Sequence, residues 1–208
     1  MGIEEDKLEL LTKLVSEGYL KTEKVIEAFR EVRRELFVPE GQSMLAYRDY
    51  PLDIGRGQTI SAPHMVALMT ELLRAAKKDS VLEIGAGCGY QACILSRLAG
   101  AVTTVEIDPD LALLAEENLR KSGCGNVRVI LGDGSLGYPQ LAPYDRVLVT
   151  CAVPEIPQPL KAQLRDGGIL VAPVGGFYRQ ELTVVRRHGS QFTEETHGGC
   201  VFVPLRSV

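Results

Sequence analysis

The stretch SVLEIGAGCGYQACILS, Ser80 to Ser96, constrains this chain more than any other. Val81-Leu82-Glu83-Ile84 is short, apolar and β-branched, as a buried strand is. Gly85, Gly87 and Gly89 follow on alternate positions, and then Ile94, Leu95 and Leu98 recur on one side of a helix. A glycine turn between strand and helix lets a ligand approach the backbone where a Cβ would block it. The helix start then offers free N–H groups. This layout predicts a nucleotide-binding α/β unit.

The glycine spacing decides which nucleotide. A dinucleotide turn reads G-x-G-x-x-G, with its third glycine at position 90; Tyr90 stands there. The run E-x-G-x-G-x-G is similar to that of S-adenosylmethionine-dependent methyltransferases. That cofactor carries a cationic sulfonium and no pyrophosphate, so an acidic strand residue, Glu83, suits it. Val102 to Val105 reads as the next strand and ends in Glu106, 17 positions beyond Gly89. That is near the spacing at which a carboxylate grips ribose hydroxyls.

Composition narrows the class. With 208 residues, 45% of them hydrophobic, the chain can bury a full core as one domain. Its expected parts are residues 1–60, N-terminal helices and a substrate-side loop; 61–175, a cofactor-binding core; and 176–208, C-terminal strands. A charge of −4 argues against nucleic acid as a partner. No apolar run reaches a membrane-spanning length, and the acidic, amphipathic start is no signal peptide. Five scattered cysteines contain no CxxC pair, and there are three histidines, so no metal is expected. The cysteines read as small reduced hydrophobes in a cytoplasmic monomer.

Taken in order, Glu4 to Glu17 reads as a helix stopped by Gly18, and Thr22 as the cap of a second one. Residues 39–63 show neither helical nor strand period, yet carry enough apolar side chains to be ordered. Ser61 reads as an N-cap ahead of Pro63, opening a helix that ends near Lys77-Lys78-Asp79. Asp108-Pro109 starts another helix. Val127 to Leu131 and Asp145 to Thr150 are strands, then Ile169 to Ala172, Glu181 to Arg187 and Gly199 to Leu205. The alternation predicts a doubly wound, mostly parallel sheet with helices on both faces. The glycine turn, Glu106 and Asp133 all fall at carboxyl ends of strands, where such sheets bind ligands.

The segment GQTISAPHM, with EIGAGCGY, VEIDPDL, LGDGSLGYP, YDRVLVT, GGILVAPVG and a terminal FVPL, resembles the protein-L-isoaspartate O-methyltransferases. The likeness runs from about Leu8 to Leu205. It implies a Rossmann-like methyltransferase fold and transfer of a methyl from S-adenosylmethionine to the free α-carboxylate of L-isoaspartyl residues in damaged proteins. It also implies residue roles. Ser61 becomes the active-site serine, in reach of cofactor and substrate. Glu83, Gly85, Gly87, Glu106, Ile107, Asp133 and Gly134 fall at cofactor positions, Glu106 on the ribose and Asp133 on the adenine amino group. Thr59, His64 and Val203 fall on the substrate side, with FVPL beside the site as an exposed edge or a lid.

Two rival readings remain open on the sequence. A small-molecule methyltransferase would share the cofactor motifs, and a non-catalytic protein would bind the cofactor and transfer nothing. A nucleic-acid amino-methyltransferase fits less well. Its Asn/Asp-Pro-Pro-aromatic motif is replaced here by Thr150-Cys151-Ala152-Val153-Pro154.

Overall fold

The structure is a computed structural model that describes residues 2–207. Helix α1 (Ile3–Ser16) carries Glu4, Glu5 and Asp6 in its first turn and Lys13 in its last, the charge order that suits the helix dipole. Its Leu10, Leu11 and Leu14 are buried. Thr22 stands at the N-cap of α2 (Glu23–Glu31) without a side-chain capping bond. Its hydroxyl is taken by Glu71, which also accepts the backbone N–H groups of Lys21 and Thr22. The expected cap is therefore replaced by a carboxylate from another helix.

The segment without period is ordered. It forms two short 3₁₀ turns, Arg34–Leu36 and Glu40–Leu45, and a hairpin of β1 (Leu52–Gly55) with β2 (Gln58–Ile60). Helix α3 (Pro63–Leu73) follows, and its N-cap is Ala62, one residue after Ser61. The sequence expectation that Ser61 caps this helix is thus corrected. The helix also ends earlier than expected, because Arg74 turns into the left-handed region at φ 53°.

Strands β3 (Ser80–Ile84), β4 (Ala101–Glu106), β5 (Val127–Leu131), β6 (Tyr144–Val149) and β7 (Leu164–Gly175) run parallel. Helices α4 (Tyr90–Leu98), α5 (Pro109–Lys121) and α6 (Gln158–Gln163) lie between them in sequence. Strands β8 (Gln180–His188) and β9 (Gln191–Cys200) extend the sheet antiparallel, giving the order β5-β4-β3-β6-β7-β8-β9. Asp108 caps α5 as expected, accepting from the N–H groups of Asp110 and Leu111 at 3.0 and 3.3 Å.

Both faces of the sheet are covered, which is why its central strands read as unbroken apolar runs. The pleat divides them. Leu82, Val147, Val149, Leu170 and Ala172 pack into one core, while Val81, Leu148, Ile169 and Val171 pack into the other with α1 to α5.

The last strand lies upstream of the expected Gly199–Leu205. All but two residues of β9 are exposed, so it shows no apolar signal. Glu194 and Glu195 stand on it, charge of the kind that protects a sheet edge from pairing. The apolar residues after it leave the sheet, since Pro204 has no N–H to give a ladder. They cross instead to Ala152, whose N–H donates to Val203 O and whose carbonyl accepts from Leu205 N, both at 2.8 Å.

Candidate active site

The sheet order reverses at β3, with β4 on one side and β6 on the other. A crevice at that switch point, beyond the carboxyl ends of the strands, is where such sheets take ligands. A cleft lies there, walled by the turn after β3, the end of β4, Thr150 and Cys151 after β6, and two segments from far away in sequence. These are Gln58–Ser61 and Val203–Arg206.

The turn is shaped for close approach. Gly85 sits at φ +95°, and a Cβ there would lie 2.6 Å from the Thr150 hydroxyl oxygen. That hydroxyl is itself 2.7 Å from Gly85 O. A Cβ on Gly134 would meet Ile84 Cγ2 at 2.5 Å. Two backbone walls of the cleft are therefore closed to side chains.

Glu106 is buried at the end of β4, with its carboxylate fixed by backbone amides. Oε2 accepts from Gly87 N at 2.8 Å, and Oε1 accepts from Ile107 N at 3.0 Å and Asp108 N at 3.1 Å. An ionised carboxylate offers about four acceptor sites. Oε2 keeps one of its two for a hydroxyl donor in the cleft. One hydroxyl of a ribose fits this remaining site, and the bare glycine walls suit a flat ring.

Eight residues expected from the sequence line the cleft: Thr59, Ser61, Gly85, Gly87, Glu106, Ile107, Gly134 and Val203. Three do not. Glu83 lies on the strand beneath the turn, fully buried, because the pleat turns it onto the sheet face that Val81 and Leu148 share rather than out of the strand's end. Neither of its carboxylate oxygens has a hydrogen-bond partner. Burial, opposed by Thr104 and reinforced by Glu106, pushes its pKa up to about 8. Asp133 stays beside the cleft and caps the short turn Gly134–Leu136, accepting from Ser135 N at 2.8 Å. His64 points into the N-terminal helices. Its Nδ1 lies 2.8 Å from Asp49 Oδ1, Asp49 Oδ2 is 3.0 Å from Lys13 Nζ, and the imidazole lies against the Tyr19 ring.

Sequence reasoning missed Tyr90, Thr150 and Cys151, which line the cleft. It also missed Arg34, behind it. The wholly buried Arg34 donates from Nη2 to Ser61 O at 2.8 Å and from Nε to Ala46 O at 2.7 Å. Its guanidinium carbon lies 4.9 Å from the centre of the Tyr90 ring. Burial raises the Tyr90 pKa to about 12, against the pull of Arg34. The letters Arg33-Arg34 gave no sign that one arginine is exposed and its neighbour enclosed.

A doubly wound sheet with a glycine turn and a strand-end carboxylate at its switch point is the architecture of S-adenosylmethionine-dependent methyltransferases. Residues 5–208 match the family model described as protein-L-isoaspartate(D-aspartate) O-methyltransferase. The chain belongs to this family. A protein-L-isoaspartate O-methyltransferase of Methanopyrus kandleri is 50% identical over 201 residues, covering 94% of this chain and 89% of that protein. A solved protein-L-isoaspartate O-methyltransferase structure superposes with a TM-score of 0.84 at 29% identity, over 95% of this chain. That structure is longer, and this chain spans 65% of it. A putative Plasmodium falciparum protein of the same description, solved in complex with S-adenosyl-L-homocysteine, shares the fold at a TM-score of 0.84 and 24% identity.

Proposed function

We propose that this cleft methylates the free α-carboxylate of L-isoaspartyl residues in damaged polypeptides, with Ser61 orienting the acceptor and Glu106 holding the cofactor ribose. When bound, S-adenosylmethionine supplies an electrophilic methyl group. The acceptor needs no deprotonation, because a carboxylate with a reference pKa near 4 is already ionised at neutral pH. One observation carries the reading. Thr59–Ser61, the glycine turn and the Val203 segment meet in one cleft, and among its described lining residues there is no histidine. A site without an imidazole base suits an acceptor that carries its own electron pair.

The chain's part is positioning. Ser61 is half-buried on the cleft wall, its hydroxyl free of any capping duty to α3. It would donate to one carboxylate oxygen and leave the other facing the methyl group. Fixing two reactants in line can supply roughly 7–11 kcal/mol of the barrier in favourable cases. The Val203 segment offers backbone beside the site, and backbone pairing reads a peptide with little regard to its side chains. Ester formation gives the carboxyl carbon a better leaving group, methoxide, so the nitrogen of the next backbone amide can attack that carbon, lose its proton and close a succinimide with release of methanol, without further help. Hydrolysis of that ring returns some normal aspartate. A cytoplasmic monomer acting on polypeptides rather than nucleic acid fits the net charge of −4 and the five free, buried cysteines. Among the described residues no helix is long and apolar enough to cross a membrane.

The test is methyl transfer to paired isoaspartyl and aspartyl peptides with varied flanking residues. An isoaspartyl linkage displaces the carboxylate by about an ångström or more, a scale that costs on the order of 10²-fold in rate. Methylation confined to the isoaspartyl member is expected, and equal rates on the two would leave only a general carboxyl methyltransferase.

A further inference from the structure

Arg34 is a buried cation without a counter-ion. It is 0% exposed and, among the described residues, has no carboxylate within ion-pair distance. The nearest acid in sequence, Glu35, is already engaged by Arg33 Nε at 2.8 Å and the Tyr47 hydroxyl at 2.6 Å. The guanidinium spends two donors on the carbonyls of Ala46 and Ser61 and lies against the Tyr90 ring, and its Nη1 has no hydrogen-bond acceptor among the described residues. Burial lowers its pKa, yet a guanidinium remains protonated at neutral pH. Buried charges are ordinarily paired, so an enclosed cation with a spare donor calls for an anion nearby.

Its surroundings say where that anion would lie. Two of the residues that Arg34 touches, Ser61 through the carbonyl and Tyr90 through the ring, line the cleft on their other side. The charge therefore stands one residue behind the cleft wall.

We propose that Arg34 is the standing counter-charge for the acceptor carboxylate and the positioning residue for Ser61. This rests on the carboxylate-methylating reading of the cleft. The two roles act on different kinetic constants. As the carboxylate oxygen bonds to the methyl carbon and the carbon–sulfur bond breaks, the negative and positive charges disappear together, leaving a neutral ester and a thioether. A nearby cation thus favours the bound carboxylate over the transition state. Its charge lowers KM for the peptide and does not raise kcat. The guanidinium fork, by fixing Ser61 O, sets the serine's aim and supports kcat.

The experiment compares the full chain with Arg34→Gln and Arg34→Lys. Each is assayed for methylation of an isoaspartyl peptide. Each is also titrated, with S-adenosylhomocysteine present, using that peptide and a twin bearing an α-carboxamide in place of the α-carboxylate. Unit charges about 10 Å apart at an effective dielectric of about 20 interact enough to change binding on the order of tenfold. Arg34→Gln should lose the preference for carboxylate over carboxamide by about that factor. Assayed at a pH low enough for the buried amine to stay protonated, Arg34→Lys should keep the preference while kcat falls, since the charge stays and the fork is lost. Simple loss of structure would weaken both peptides alike and leave the ratio unmoved. A folded Arg34→Gln with the wild-type ratio overturns the counter-charge, as does an Arg34→Lys that loses it. If Arg34→Gln does not fold, Arg34→Lys decides alone on the same criterion. An unvaried chain that methylates no isoaspartyl peptide overturns the function itself. One that methylates it, with the ratio indifferent to Arg34, overturns only this inference.

Discussion

At the scale of single residues, Glu106 and Ser61 face the same cleft and should fail in different ways when removed. Glu106→Ala removes a charge-assisted bond to a cofactor hydroxyl, worth about 1.5–3 kcal/mol. The cofactor dissociation constant should rise by one to a few orders of magnitude, roughly, as read by calorimetric titration. The structure adds a second consequence, since the same carboxylate accepts from three backbone amides. Thermal stability should fall too, as Gly87, Ile107 and Asp108 lose their acceptor. An unchanged affinity would take Glu106 out of the ribose site. Ser61→Ala should leave the melting temperature and cofactor affinity where they are, because Ala62 holds the cap position. Turnover on isoaspartyl peptide should drop. A mutant that melts early and keeps its rate would make Ser61 a structural residue.

At the scale of elements, the C-terminal segment shows how packing joins parts that the sequence leaves apart. Gln180, at the start of β8, is 1% exposed. Its Oε1 accepts from Phe202 N at 2.8 Å, and its Nε2 donates to Gly176 O at 2.5 Å. It thereby holds the strand that leads to Val203 against the β7–β8 turn. A buried hydrogen bond lost without replacement costs about 1–3 kcal/mol. Gln180→Ala should raise peptide KM by about fivefold to a hundredfold on that scale, while cofactor affinity stays fixed. Equal losses for peptide and cofactor would show that the segment serves the whole cleft. Legibility follows the same division. The β3 turn, the Asp108 cap and the apolar runs of β4, β6 and β7 could be read directly, because each depends on local spacing or on burial from both faces. Strand β9 could not, being almost wholly exposed and fixed by pairing, nor could the short β1–β2 hairpin, whose Leu52, Ile54 and Ile60 reach the core from a segment without a sustained period. Of the expected site, Ser61, Glu106 and Val203 reach the cleft on elements distant in sequence, and the family resemblance carried Ser61 and Val203. Glu83, Asp133 and His64 were misplaced because motif letters do not tell which way a side chain turns at a strand end or in a first helical turn.

At the scale of the whole molecule, Glu83 links stability to pH through the centre of the sheet. It is the one acid among the described residues whose pKa is pushed up, to about 8 from an ordinary 4.5. The acids with shifts in the other direction, Glu35, Asp49, Asp108, Glu117 and Asp166, are held below their ordinary values by their hydrogen bonds. They are ionised in folded and unfolded chains alike above about pH 5, so their effect appears only on acidification. Glu83 acts in the opposite window. Below about 4.5 it is protonated in both states and its contribution is fully present. As pH rises toward 8 the unfolded chain releases this proton and the native core keeps it. The native state then binds more protons than the unfolded one, and stability falls with pH. The loss is complete once pH passes about 8 and the buried carboxylate ionises in the folded chain as well. One titrating group gives a slope of at most about 1.4 kcal/mol per pH unit. Glu83→Gln keeps the shape and removes the proton. Its stability relative to the parent should climb steadily from pH 5 to pH 8 and level off above that, as read from denaturant midpoints at fixed ionic strength. Parallel curves for the two proteins would mean that Glu83 is already ionised in the core at pH 5.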